Sequence, residues 1–138
     1  MRQYWLKMFG AADDPLDKNW TQQDPEMLSK ARFSKCPSGI QRDDLLVCYA
    51  PGEQAIFGIA IASRPGANAE HKPRAIDDRW PWALACPIVL AIPNLARAPG
   101  WSVLGIQPES VKQHSHISIT RARYELAWNA ITQATRLD

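Results

Sequence analysis

The side chains that could do chemistry in this sequence fall into a few short groups. Acidic pairs stand at Asp13-Asp14, Asp43-Asp44 and Asp77-Asp78, and two histidines are spaced as His114-x-His116. Paired carboxylates can hold metal ions for nuclease chemistry. Each pair also flanks a turn signal, where Asp is favoured for local hydrogen bonding. No lysine or histidine stands at a spacing that would complete a nuclease centre. The two histidines could ligate a metal from one strand face, but no third ligand lies nearby, so a solvated or phosphate-facing pair is expected. Cys36, Cys48 and Cys86 contain no C-x-x-C and sit far apart, which encodes neither a disulfide framework nor a zinc knuckle. They read as small buried hydrophobes. G-x-S-x-G, P-loop and G-x-G-x-x-G patterns are missing, so acyl transfer, nucleotide hydrolysis and dinucleotide binding lack support. The residues therefore point to binding without catalysis, with no catalytic side chain, metal or cofactor.

The aromatic residues carry the binding argument. The stretch DDRWPWALACPIVLAIP at 77 to 93 places two tryptophans around a proline ahead of an apolar strand. Trp82 is in step with Leu84, Cys86, Ile88, Leu90 and Ile92, the bulky face of that strand, and is assigned to the core. A bulge at Pro87, which cannot donate to a ladder, would reverse the alternation. Trp80 is set apart by Pro81 at the end of a long polar loop, which puts it at a mouth. An indole there can stack on a base or enclose a methylated group, or cap the end of a barrel. Trp20, in DKNWTQQD, either plugs the core under a loop or lines the same pocket.

Basic residues are unevenly placed. Net charge is only +2, and the half from residue 64 onward is the more basic one. Arg32 and Lys35 follow an early helix, with Lys30 just before them. Arg64, Lys72, Arg74 and Arg79 lie in or beside the loop before Trp80, and Lys112, His114, His116, Arg121 and Arg123 precede or open the last helix. If they converge on one mouth they would hold phosphates, with affinity falling as salt rises. Scattered solvation is the alternative.

These groups need elements to position them. YWLKMF at 4 to 9 reads as a first strand. Between residues 11 and 43 only PEMLSKARF at 25 to 33 reads as helical, with Met27, Leu28 and Ala31 on one side and loop elsewhere. LLVCYA at 45 to 50, a PGEQ turn and AIFGIAIAS at 55 to 63 predict a hairpin, with Gly58 marking a bulge or close approach. A loop at 64 to 78 delivers the chain to a strand over 83 to 92. WSVLGI forms a short apolar turn, and Ser118 or Thr120 caps a final helix through Thr135. Its buried stripe is predicted to be Tyr124, Ala127, Trp128, Ile131 and Ala134. Strands and helices are segregated, an α+β arrangement best met by a small mixed β-barrel flanked by helices.

At 138 residues and 46% apolar content, the chain is expected to be one domain spanning residues 1–138. No apolar run nears the about 18 residues of a membrane helix. The amino terminus lacks signal-peptide features, so a cytoplasmic protein is expected.

The order of pieces resembles the PUA-like superfamily, specifically its EVE and YTH branches. The carrying stretches are YWLKMFG, DDLLVCYAPGEQAIFGIAIAS, RWPWALACPIVLAIPN and HISITRARYELAWNAI. The resemblance implies a PUA-like barrel that reads modified bases in DNA or RNA. In YTH proteins a tryptophan before the later strand, preceded by an acidic and a basic residue, belongs to an aromatic cage for methylated adenine. Asp78-Arg79-Trp80 looks similar in type and place, and Trp20 is the nearest counterpart of a second cage tryptophan. EVE proteins usually carry lysine-serine-glutamate-proline after the first strand. Here the sequence is Lys7-Met8-Phe9-Gly10, so only Lys7 carries over. The usual glycine-aspartate before the hairpin is Asp43-Asp44. The expected pocket is therefore Trp80, Trp20, Lys7, Arg79 and Asp78, with Arg32, Lys35, Arg64, Lys72, Arg74, Arg121 and Arg123 on phosphates. The alternative is an enzyme or small-molecule binder acting on a nucleotide-like ligand in the same cavity through Asp or His groups such as Asp78 or His114. A pure interaction module is a third possibility.

Overall fold

Successive side chains of the first strand, β1 (Tyr4–Met8), enter two different cores, and that alternation organises the molecule. The computed structural model describes residues 2–10, 15–105 and 115–136. Asp13, Asp14, Lys112 and His114 lie outside them. Tyr4, Leu6 and Met8 point to one side of β1, where they join Val47, Ile59, Ile119, Ala127 and Ile131. Trp5 points to the other, with Phe33, Leu46, Phe57 and Leu84.

Strand β1 sits inside a five-stranded sheet. It runs parallel to β3 (Leu45–Ala50) and antiparallel to β8 (His116–Ile119), with Lys7 opposite Cys48 and His116. The expected hairpin of β3 with β4 (Ala55–Ile61) is present, and β7 (Ile88–Ala91) closes the far edge. Gly58 meets the close-approach expectation, since a Cβ there would stand 2.8 Å from the Leu90 carbonyl oxygen.

A second, three-stranded sheet contains β2 (Lys30–Phe33), β6 (Trp82–Ala85) and β5 (Glu70–His71), in that order. The predicted strand over 83 to 92 is thus two strands. The chain leaves one sheet and enters the other at Cys86-Pro87, where the Cys86 N–H donates to Ser29 and the Pro87 carbonyl accepts from Ile61. Pro87 cannot donate, so the ladder breaks there. Beyond it Val89 is bulged out between the Ile88 and Leu90 pairings and is 59% exposed. The two ladders make a mixed α+β fold with two sheets, and no closed barrel forms among the described residues.

Three further expectations are corrected. PEMLSKARF is not one helix: a 3-10 turn at Pro25–Leu28 gives way to β2, where Ala31 and Phe33 alternate inward with period two. Trp20 does not lie in loop but opens a one-turn helix, α1 (Trp20–Gln23). The last helix, α2 (Arg121–Arg136), begins after Thr120, whose hydroxyl accepts from the Arg123 N–H at 3.2 Å. It buries Ala127 and Ile131 and half-buries Tyr124 and Ala134, but Trp128 is 40% exposed. Trp128 follows Ala127 by one residue and so sits about 100° round the helix from it. Among the described residues no helix is long and apolar enough to cross a membrane.

Candidate functional site

Lys7 is the most unusual residue of the fold. Strand alternation turns it toward the second sheet, the same side as Trp5, and only 1% of it is exposed. Its Nζ donates to the Met8 carbonyl. It also lies 4.7 Å from the ring centre of Phe9, 4.8 Å from that of Phe33 and 5.0 Å from that of Trp80. Burial pushes the amine from 10.5 down to about 7, against a weaker upward pull from the Cys48 and Cys86 thiols. Near neutral pH the group therefore passes between an ammonium held by aromatic faces and a neutral amine.

Around Lys7 opens a cavity of about 260 Å³, walled by residues 7–10, 15–17, Trp20, Gln23, Asp24, Met27, Arg32, Arg74 and Trp80. Trp20 is brought there by α1. It is fully buried, packs its ring 5.0 Å from that of Phe57, and its indole Nε1 has no hydrogen-bond partner. Arg32 projects from β2. Its Nη1 donates to the carbonyls of Lys72 (2.9 Å) and Trp80 (3.3 Å) and its Nη2 to Glu26 (3.3 Å), while its buried Nε has no partner.

Trp80 is held by its own loop. Asp78 accepts from the N–H of Trp80 at 2.9 Å and of Arg74 at 2.8 Å, and lies 3.8 Å from Arg32 and 3.4 Å from the Arg74 side chain. Burial works upward on the Asp78 carboxyl, but the N–H groups of Arg74 and Trp80 and the Arg74 guanidinium outweigh it and hold the carboxyl below its usual value. Pro81 then turns the chain into β6, and its carbonyl accepts from the Lys72 N–H at 2.8 Å.

Of the residues expected at the pocket, Trp80, Trp20 and Lys7 line it together. Asp78 supports the wall rather than forming it, and Arg79 is exposed beside it. Of those expected on phosphates, Arg32 and Arg74 line the cavity. Lys72 is exposed, ion-paired to Glu70 at 2.7 Å, and gives its carbonyl to Arg32. Lys35 and Arg64 are exposed away from the lining. Arg121 and Arg123 open α2, on the opposite face of the five-stranded sheet and toward the Tyr4 end of β1, because Ile119 pairs with Tyr4. The structure does not bring them to the cavity.

Other expected groups have structural partners. Asp44 is fully buried and accepts from the Gln3 and Gln41 N–H groups, each at 2.8 Å, and from the Trp5 indole at 3.0 Å. His116 lies between the rings of Trp5 (5.4 Å) and Phe33 (5.2 Å). Trp82 packs against the cluster of Leu84 and Cys86. Cys48 and Cys86 are buried and Cys36 half-buried. No group of three or more metal-ligating residues occurs among the described residues.

Sequence reasoning missed Phe9 and Phe33, the rings that complete the surroundings of Lys7, and Met27 and Gln23 in the wall. The alternation Trp5, Lys7, Phe9 was a usable signal, since it places a lysine between two aromatic residues on an inward face. Phe33 carries none, because the PEMLSKARF pattern predicts a helix and only pairing with β6 makes its residues a strand.

No protein-family pattern matches the sequence, and no curated protein sequence does. Solved structures do match over nearly the whole chain. Rpa0253 from Rhodopseudomonas palustris is similar with TM-score 0.58 and 14% identity, covering 95% of this chain and 94% of that one. A protein from Leishmania major gives 0.59 and 12%, over 99% and 98%. Atu2648 from Agrobacterium tumefaciens gives 0.56 and 12%, over 93% and 92%. At these identities the likeness concerns the fold alone.

Proposed function

We propose that this chain is a reader of nucleic acid, of the PUA-like, EVE-type class, that accepts one unpaired or flipped modified base in the cavity between its two sheets and does no chemistry on it. The observation that carries the reading is the Trp80 indole, which lines a cavity floored by Lys7 and Trp20. At about 260 Å³ the cavity is smaller than the about 300–1,000 Å³ of sites for drug-sized ligands, which suits one small planar group. Stacking on the indole offsets the few kcal/mol that unstacking a base costs. Arg74, about half exposed in the cavity wall, would hold an adjoining phosphate. The PUA-like part of the reading rests on the resemblance of the sequence, since the two sheets joined at Pro87 form no closed barrel among the described residues.

The enzymatic alternative named Asp78 and His114. Asp78 has its carboxylate committed to two backbone N–H groups and two arginines, and His114 lies outside the described residues.

The test is a titration by fluorescence anisotropy of single-stranded DNA and RNA carrying one methylated or unmethylated base, against the wild type and Trp80→Ala. Tighter binding of a methylated form is expected, with that preference lost in the variant. Equal affinities throughout would remove the reading.

A further inference from the structure

The aromatic rings at the cavity already have a cation of the chain's own. Lys7 Nζ stands 4.7 Å from the ring centre of Phe9, 4.8 Å from that of Phe33 and 5.0 Å from that of Trp80, and Lys7, Phe9 and Trp80 all line the cavity. Three ring faces within about 6 Å of one amine make an aromatic cage that Lys7 fills from inside. Lys7 is buried, and no carboxylate pairs with it among the described residues. The other groups around it do not cancel its charge. Cys48 opposes it on β3, and burial raises the thiols of Cys48 and Cys86 so that both stay neutral. His116 opposes it on β8, with its ring between Trp5 and Phe33. Arg32 and Arg74 in the wall have the same sign, and Asp78 behind them is engaged by both. Asp17 and Asp24 also line the cavity, but Asp17 is exposed, and Asp24 is partly exposed with Arg74 at 3.9 Å. Solvent screens such carboxylates far more than it screens a buried ammonium.

We infer that Lys7 makes the pocket selective for uncharged bases, so that a base made cationic by methylation at a ring nitrogen is rejected while Lys7 carries its proton. This rests on the base-reading assignment of the cavity and names the ligand class of that site. Methyl groups on a ring carbon or an exocyclic nitrogen leave a base neutral and are accepted. Stacked rings have centres about 4.5–7 Å apart, and Nζ is 5.0 Å from the Trp80 ring centre. A base on either face of the indole is therefore no more than about 12 Å from the ammonium. At an effective dielectric of about 20, two positive charges at that limit weaken binding about tenfold, and nearer ones weaken it more. The effect acts through space and needs no contact with Nζ. It also has a ceiling, because Lys7 can release its proton instead. With the amine at about 7, release costs about a factor of ten at pH 6 and almost nothing at pH 8. A cationic base is thus penalised on the acid side, and the penalty fades as pH rises.

The experiment uses single-stranded oligonucleotides with one central methylated base, in isomeric pairs: 5-methylcytosine against 3-methylcytosine, and N6-methyladenine against 1-methyladenine. The second member of each pair is a cation near neutral pH and the first is not. Affinities are measured from about pH 6 to about pH 8 at constant ionic strength, for the wild type and Lys7→Met, in whichever pair loses affinity with Trp80→Ala. In the wild type the preference for the neutral member is expected to fall about five- to tenfold across that range, and in Lys7→Met it is expected to stay flat. The ratio within a pair removes any effect of pH on phosphate binding that both members share. A wild-type preference that does not change with pH overturns the inference and leaves the reader assignment standing. So does a change that persists in Lys7→Met, which would assign the titration to His116. Binding of both pairs that is indifferent to Trp80→Ala overturns the assignment itself. Should Lys7→Met bind neither member, the wild-type pH profile decides.

Discussion

The two faces of the five-stranded sheet are built from the same strands by the same alternation, yet they differ in kind. The face under α2 is apolar apart from the hydroxyls of Tyr4, Tyr49 and Tyr124: Leu6, Met8, Val47, Ile59, Ala127 and Ile131 pack there. The face toward the second sheet is interrupted by a buried lysine, a cavity and two unpartnered buried donors. Close packing is the default for a core, and buried polar groups normally have partners. One face follows both rules, and the other departs from them at one end of β1. On the proposed reading, stability and recognition are divided between faces, which mutations can test separately.

The largest effect should come from the helix face. Ile131→Ala removes a fully buried side chain from α2 and should cost about 2–5 kcal/mol, through lost transfer energy and the residual cavity. Urea unfolding measures it. Oligonucleotide affinity of the folded variant should match the wild type. A parallel loss of affinity would show that the faces are coupled and break the comparison.

On the pocket face the corresponding experiment is Lys7→Met, and its sign should be opposite. The Lys7 amine falls from 10.5 when unfolded to about 7 when folded, so between those values the unfolded chain binds the extra proton. Wild-type stability therefore rises with pH across that window, by at most about 1.4 kcal/mol per pH unit, and below it the buried charge is a full penalty. Methionine has neither charge nor titration. The variant should exceed the wild type in stability most at about pH 6, with the gap narrowing toward about pH 9. Burial pushes the Cys86 thiol up to about 12 and the Cys48 thiol up further, which lowers stability above their unfolded value of 9.0 in both proteins and so leaves the difference readable. A gap independent of pH would mean that Lys7 is not the titrating group.

These contrasts explain what could be read beforehand. The hairpin and the Thr120 cap were legible because each depends on residues near in sequence, and the close approach at Gly58 because a glycine inside a strand signals one even when its partner, Leu90, is distant. Trp80 and Lys7 were identifiable as pocket candidates from a loop terminus and a family resemblance, and the structure brings them within 5.0 Å. What was not legible depends on distant partners. PEMLSKARF alternates well enough for either period, and only pairing of Arg32 with Ala83 and Phe33 with Trp82 makes β2 a strand. Arg121 and Arg123 looked like phosphate ligands because charge in a sequence carries no face, and the register of β8 on β1 sends them to the wrong side. The unpartnered donors of Trp20 and Arg32 had no signal at all, since being unpartnered is a property of the assembled wall.

The smallest effect, and the sharpest on the comparison, is expected from Asp78→Asn. Packing holds the helix face, whereas polar contacts hold the loop that carries Trp80, several of them made by Asp78. Asparagine keeps one acceptor oxygen and loses the charge, so the global cost at neutral pH should be about 1 kcal/mol. Because the wild-type carboxyl sits below its unfolded value of 3.8, its contribution is present above that pH and is lost as pH falls through it. The variant should lack that part of the acid-side decline. Hydrogen exchange then distinguishes local from global loosening: the amides of Arg74 and Trp80 should lose protection while those of β8 and α2 keep theirs. A uniform loss across both faces would mean that Asp78 supports the whole fold, and that the division between a packed face and a tethered one is not real.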